Sequence, residues 1–238
     1  MSHFQYLTDE QIIHSPSYRD GITTADEESL RKSSCTFIRT LCKQLELKSY
    51  VTYSACVFFH RFYSLQSYKT HDRTIIAAGC CFLAAKVEES FRNPEEIAKN
   101  YYIVKNSIEP DQAQIRDIKM KVLLAERVIL NVLSFDLIIE QPFNAMIFIS
   151  TELSISDRPL QYAWRFANDS VLTTVSIQYS ENTIAAACMY LSISGFNTIP
   201  KETYMPVLLS TAQVTEDVVL KCANCMKALY QNYDILFQ

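Results

Sequence analysis

A run of small and apolar residues occurs twice in this 238-residue chain, first as Ile76-Ala77-Ala78-Gly79-Cys80-Cys81-Phe82-Leu83 and again as Ile184-Ala185-Ala186-Ala187-Cys188-Met189-Tyr190-Leu191. Every apolar or small position keeps its class, which marks a duplicated structural unit. A second landmark follows each copy: Leu133-Ser134-Phe135-Asp136-Leu137 is answered by Gln231-Asn232-Tyr233-Asp234-Ile235. A helix made from either run is apolar or small on nearly every side, and it is stable only if other helices surround it. The alanines and Gly79 let those neighbours come close. The expectation is an all-α chain in which a helical unit built around its third helix is made twice, with the boundary near residues 135–141. No Gly- or Ser-rich linker separates the halves.

Helix punctuation fills in the rest. Thr24-Ala25-Asp26-Glu27 reads as a capping box, and Asn93-Pro94-Glu95-Glu96 repeats the device with proline at the first helical position, where its missing N–H costs nothing. Gln141-Pro142, Ser180-Glu181 and Thr215-Glu216-Asp217 are further starts. Between them apolar residues recur at three and four, as in Ile115, Ile118, Val122, Ala125, Ile129 and Val132. Helices are expected over 24–46, 50–66, 72–89, 94–106 and 112–134, then 142–154, 158–175, 181–194, 203–212 and 216–232.

Composition narrows the function classes. Twenty-two basic against 26 acidic residues give −4, so the chain lacks the overall basic footprint of a phosphate-backbone binder, and no direct nucleic-acid partner is expected. Three glycines, Gly21, Gly79 and Gly195, allow neither a GxGxxG nor a GxxxxGK[ST] phosphate loop. Eight cysteines lie mostly in apolar stretches and no signal core opens the sequence, which suits a reducing cytosolic or nuclear setting. The longest nearly uncharged run, 74–85, is shorter than the roughly 20 residues a membrane span needs. Cys222-Ala223-Asn224-Cys225 has zinc-ligand spacing but no second pair, Asn168-Asp169-Ser170 lacks the carboxylates Mg²⁺ requires, and His60 and His71 have no catalytic partner at a recognisable spacing. No metal, cofactor or catalytic residue is expected. Tyr101-Tyr102 and Phe58-Phe59 read as core or interface surface.

Three ordered segments carry a family resemblance. Phe58-Phe59-His60-Arg61-Phe62-Tyr63, Cys81-Phe82-Leu83-Ala84-Ala85-Lys86-Val87-Glu88-Glu89, and Leu124-Ala125-Glu126-Arg127-Val128-Ile129-Leu130 followed by Ser134-Phe135-Asp136-Leu137 resemble the signature segments of a first cyclin box. Residues 163–174, Ala163-Trp164-Arg165-Phe166 onward, and the leader His14-Ser15-Pro16-Ser17 are similar to the transcription-associated cyclins K and T. The resemblance implies two tandem five-helix cyclin boxes, a leader over 1–23, a first, kinase-binding box over 24–137 and a second over 138–238. Two departures stand out. His60 replaces an aspartate usual in cell-cycle cyclins, and Lys32-Ser33-Ser34-Cys35-Thr36 stands near the place of their docking patch.

Read alone, Lys86 is a cation at a helix C-terminus and Glu126 a solvated carboxylate paired with Arg127 or Lys121. The resemblance implies instead that both hydrogen-bond the segment leading into a kinase's mobile αC helix, that Phe82 is an apolar contact to that helix, and that Glu89 meets a kinase arginine. It implies a non-catalytic regulatory subunit that forms a heterodimer with a cyclin-dependent protein kinase and activates it. The target would be the C-terminal repeats of RNA polymerase II during elongation, in the nucleus. The competing expectation is a TFIIB-like general transcription factor that grips DNA, which would show a basic face and an N-terminal zinc ribbon; no cysteine precedes Cys35.

Overall fold

A computed structural model describes residues 4–196 and 199–230, and among them every regular element is helical. The chain divides into two compact units, Met1–Ile139 and Glu140–Gln238. No helix among the described residues is long and apolar enough to cross a membrane. The repeat landmark at 231–235 and the end of the last expected helix lie outside the described residues.

The first unit opens with two short helices, α1 (Asp9–Ile13) and α2 (Pro16–Arg19), followed by α3 (Thr24–Gln44), α4 (Ser49–Leu65), α5 (Arg73–Val87), α6 (Pro94–Asn106) and α7 (Gln112–Val132). Helix α5 is the uniformly apolar one. All ten residues from Ile76 to Ala85 are buried, and α3, α4, α6 and α7 pack around it. A Cβ placed on Gly79 would lie 2.9 Å from both Ala125 Cβ and Ile129 Cδ1, so the crossing of α5 over α7 is as close as it is because position 79 has no side chain.

The capping box expected at Thr24 is displaced. Thr23 is the N-cap of α3 and accepts from the Asp26 N–H, while Glu27 turns into the core. There its carboxylate accepts from Ser15 Oγ of the leader and from Arg31, with Arg31 Nη2 at 2.6 Å and Nε at 3.1 Å. Arg31 also donates to the Tyr63 carbonyl at 3.2 Å, and its Nη1 lies 3.5 Å from His60 Nδ1, whose other ring nitrogen is 3.4 Å from Cys35 Sγ. Burial acts to raise the Cys35 thiol, but its hydrogen bond with Cys56 and the nearby His60 and Arg31 outweigh burial and draw it below the usual range. His60 is thus a structural link in a buried polar chain joining the leader, α3 and α4. His71, by contrast, sets its ring edge against Phe62, and its carbonyl accepts from Tyr63 Oη.

The second unit contains α8 (Pro142–Glu152), α9 (Asp157–Ser170), α10 (Val175–Gln178), α11 (Glu181–Phe196), α12 (Lys201–Ala212) and α13 (Glu216–Lys227), closed by a 3₁₀ turn at Ala228–Tyr230. Helix α11 takes the central place, packed against α8, α9, α12 and α13. The helix expected over 158–175 breaks at Ser170. Thr173 Oγ1 donates to the Ser170 carbonyl and accepts from the Val175 N–H, so local side-chain bonds replace the helical ladder and a separate short helix follows. Asp169 accepts from Tyr230 Oη at 2.8 Å, a bond within the second unit. Cys222 is buried and Cys225 exposed, and no three potential metal ligands cluster among the described residues.

Candidate kinase-binding site

Lys86 and Glu126 lie 40 positions apart in sequence and meet in space. Lys86 Nζ donates to Glu126 Oε1 at 2.8 Å and to Oε2 at 3.1 Å, which corrects the expectation that Glu126 pairs with Arg127 or Lys121; Lys121 pairs with Asp117. The scaffold explains the meeting. Glu126 follows Ala125, which touches Gly79, and Lys86 lies about two turns beyond Gly79 on α5. The tight crossing at Gly79 therefore brings the two side chains within reach. The Lys86 side chain is 40% exposed and the Glu126 side chain 10%, so the pair sits at the surface with its anion recessed. At that exposure the pair adds only about 0.2–1 kcal/mol to the fold.

Phe82 is one turn earlier on α5 and 2% exposed, and Lys86 Nζ stands 4.1 Å from its ring centre. Its ring is a floor for the ammonium, a cation–π contact that holds Nζ over Glu126. Lys86 also occupies the last turn of α5, where the helix dipole favours a cation.

Glu89 is exposed and adopts the left-handed conformation, φ 52°, just past the end of α5. The Ser90 N–H donates to the Ala85 carbonyl at 2.8 Å, closing the helix end in the way glycine usually does. Two ties hold this end in place. Ser54 Oγ of α4 donates to Glu88 Oε1 at 2.6 Å, and Arg92 donates through Nε to the Leu45 carbonyl and through Nη2 to that of Glu46. The Glu89 N–H donates to the Lys86 carbonyl at 3.2 Å, so the residue is tied by its backbone to the end of α5 in the turn adjoining the pair.

Sequence reasoning passed over the apolar residues that these elements expose: Val87 at the end of α5, Phe91 after it, and Met120 and Leu124 on the outward side of α7. Their signal was present in the sequence, since Met120 and Leu124 fall one turn apart on the side of α7 opposite its buried stripe.

Two family models divide the chain between them: the cyclin N-terminal domain matches residues 2–138 and the cyclin C-terminal domain residues 144–235. The chain belongs to the cyclin family. Among curated relatives, this cyclin is 35% identical over 229 residues to Cyclin-T1-3 of Oryza sativa subsp. japonica, a match covering 92% of the chain and 46% of the relative. It is 32% identical over 191 residues to human Cyclin-K, covering 79% of the chain and 33% of that protein. These matches place it in the transcription-associated, cyclin T/K-like subgroup, and the chain spans less than half the length of either relative. Among solved structures, a chain of the yeast RNA Pol II CTD kinase CTDK-1 complex superposes with a TM-score of 0.82 at 18% identity, covering 100% of this cyclin and 78% of that chain. At that identity the likeness is one of fold.

Proposed function

We propose that this cyclin is the regulatory, non-catalytic subunit of a cyclin-dependent protein kinase, and that Lys86 and Glu126 form the polar centre of its kinase-binding surface. The observation that carries the reading is the pair itself: a cation and a recessed anion joined at 2.8 Å, fixed by the Gly79 crossing, contributing little to the fold, and flanked by exposed apolar residues on the same elements. Such a pair is suited to exchanging its internal bond for backbone groups of a docked helix, with Lys86 meeting carbonyls and Glu126 meeting N–H groups. A protein kinase is active only when its αC glutamate pairs with the lysine that holds the ATP phosphates, so a surface that captures the segment leading into αC sets the active population. Phe82 supports Lys86 from below and lends an apolar floor to the contact, and Glu89 faces a kinase arginine.

The likeness to cyclins K and T supports, as part of this proposal, a kinase that phosphorylates the C-terminal repeats of RNA polymerase II and a nuclear setting for the complex. The test is to purify what associates with the tagged cyclin in its source cell and assay the complex on a polymerase-repeat peptide. A co-purifying kinase that is inactive alone and active with the cyclin is the expected result. Recovery without any kinase partner would overturn the proposal.

A further inference from the structure

Helices α3 and α5 end in the same way, each on a glutamate in the left-handed conformation, Glu46 and Glu89, both at φ 52°. The closures match bond for bond. The Glu46 and Leu47 N–H groups donate to the Lys43 and Cys42 carbonyls at 3.1 and 2.9 Å, and the Glu89 and Ser90 N–H groups donate to the Lys86 and Ala85 carbonyls at 3.2 and 2.8 Å. Glycine takes this conformation freely, whereas a glutamate is strained in it and stays there only where its surroundings hold it.

One side chain ties the two ends together. Arg92 Nε donates to the Leu45 carbonyl at 2.9 Å and Nη2 to the Glu46 carbonyl at 3.3 Å, while Nη1 donates to the Ser90 carbonyl at 3.2 Å and to the Phe91 carbonyl at 3.1 Å. The guanidinium therefore bridges the C-terminus of α3, where the helix dipole favours a cation, and the turn that follows α5. Satisfying acceptors is not its main effect. It meets the Glu46 and Phe91 carbonyls at exposed positions, where water would serve them as well.

What the bridge sets is the shape of the turn. Glu88 accepts from Ser54 Oγ at 2.6 Å, and Ser90 Oγ lies 3.4 Å from Tyr50 Oη, so Glu89 is exposed between two tied neighbours. Phe91 is 63% exposed between Ser90 and Arg92, which are tied in turn. An acidic and an aromatic side chain are thus displayed from a backbone held on both sides of each.

We propose that Arg92 is a positioning residue for kinase binding: by bridging the ends of α3 and α5 it presets Glu89 and Phe91 for the partner, which lowers the ordering that docking requires. This role rests on the kinase-binding reading of the Lys86–Glu126 surface and makes the adjoining turn a second, preorganised contact. It calls for arginine rather than for positive charge alone. A lysine places its three donors on one atom and cannot span acceptors on both segments as the guanidinium fork does.

The test titrates the kinase that co-purifies with the cyclin against the full chain, Arg92→Lys, the pair Glu89→Ala with Phe91→Ala, and that pair with Arg92→Lys added; Lys86→Ala is measured beside them. Arg92→Lys alone should lower affinity about tenfold, within the range for coupled neighbours, and should lower it by about twofold or less once Glu89 and Phe91 have been removed. An arginine that only stabilised the fold would weaken binding by the same factor in both backgrounds. Amide exchange without kinase reads the turn directly: the Glu89 and Ser90 N–H groups should exchange faster in Arg92→Lys, with the protection of the buried part of α5 unchanged. Wild-type affinity in Arg92→Lys, equal losses in the two backgrounds, or unchanged exchange at Glu89 and Ser90 would overturn the assignment. If Lys86→Ala is weakened in that same experiment, the failure belongs to Arg92 alone; if Lys86→Ala also binds as the wild type does, the kinase-binding reading falls with it.

Discussion

Replacing Gly79 with alanine separates two forces that act in opposite directions. Helix propensity alone favours alanine by about 0.8–1 kcal/mol in a helix interior. Packing opposes it, because the new methyl would stand 2.9 Å from Ala125 Cβ, 2.9 Å from Ile129 Cδ1 and 3.3 Å from the Ala125 backbone carbon. Ile129 Cδ1 can rotate away. The Ala125 atoms cannot, so α5 and α7 must part by roughly half an ångström or more to restore ordinary carbon contact. Overpacking of this kind costs about 1–3 kcal/mol, and the net expectation is a loss of about 1 kcal/mol with Tm lower by a few degrees. The parted helices also carry Lys86 away from Glu126, so kinase activation should fall more than stability does. The duplicated unit provides the control: Ala187 occupies the matching position and is fully buried, and Ala187→Gly should destabilise by the propensity term without touching the site. Thermal unfolding of both variants decides the matter, and a Gly79→Ala chain with raised Tm and full activation would refute the packing argument.

Two further perturbations test a buried ion pair and a helix cap. Glu27→Ala leaves the Arg31 guanidinium buried without its carboxylate and should cost about 3–5 kcal/mol in urea unfolding, whereas replacing both residues with methionine should recover most of that; a single-variant loss no larger than a surface pair's would contradict the buried chain. Asp72 is influenced first by burial, which raises it, but hydrogen bonds from Thr74 and Ile75 and the charge of Lys105 prevail and lower it. Its stabilisation is therefore present above the unfolded aspartate value of about 3.9 and lost as pH falls through the lower folded value. The Tm advantage of the wild type over Asp72→Asn should be constant near neutrality and vanish in strong acid, and a gap independent of pH would count against the assignment.

The helical order was readable because caps and apolar spacing agreed along most of the chain, and the two surrounded helices, α5 and α11, were marked by their small residues. What escaped were features made by tertiary contact. Lys86 and Glu126 were each singled out, yet their pairing depends on the Gly79–Ala125 crossing, which no local pattern states. Glu27 was read as a capping carboxylate and Arg31 was passed over, because charged residues are surface residues by default. Their spacing did hold a signal: 27, 31, 34, 35, 38, 41 and 42 continue one buried stripe of α3, so the polar pair occupies core positions. The break at Ser170 was hidden because Thr173 tolerates a helix and ends it only when its hydroxyl finds backbone partners.

Direct titration of the purified kinase with this cyclin and its Lys86→Ala and Glu126→Ala variants bears most closely on the kinase-binding assignment. Each variant should keep its helical content and lose affinity by a factor of tens to thousands, the range for removing one member of a desolvated interfacial charge pair. Wild-type affinity in both would contradict it.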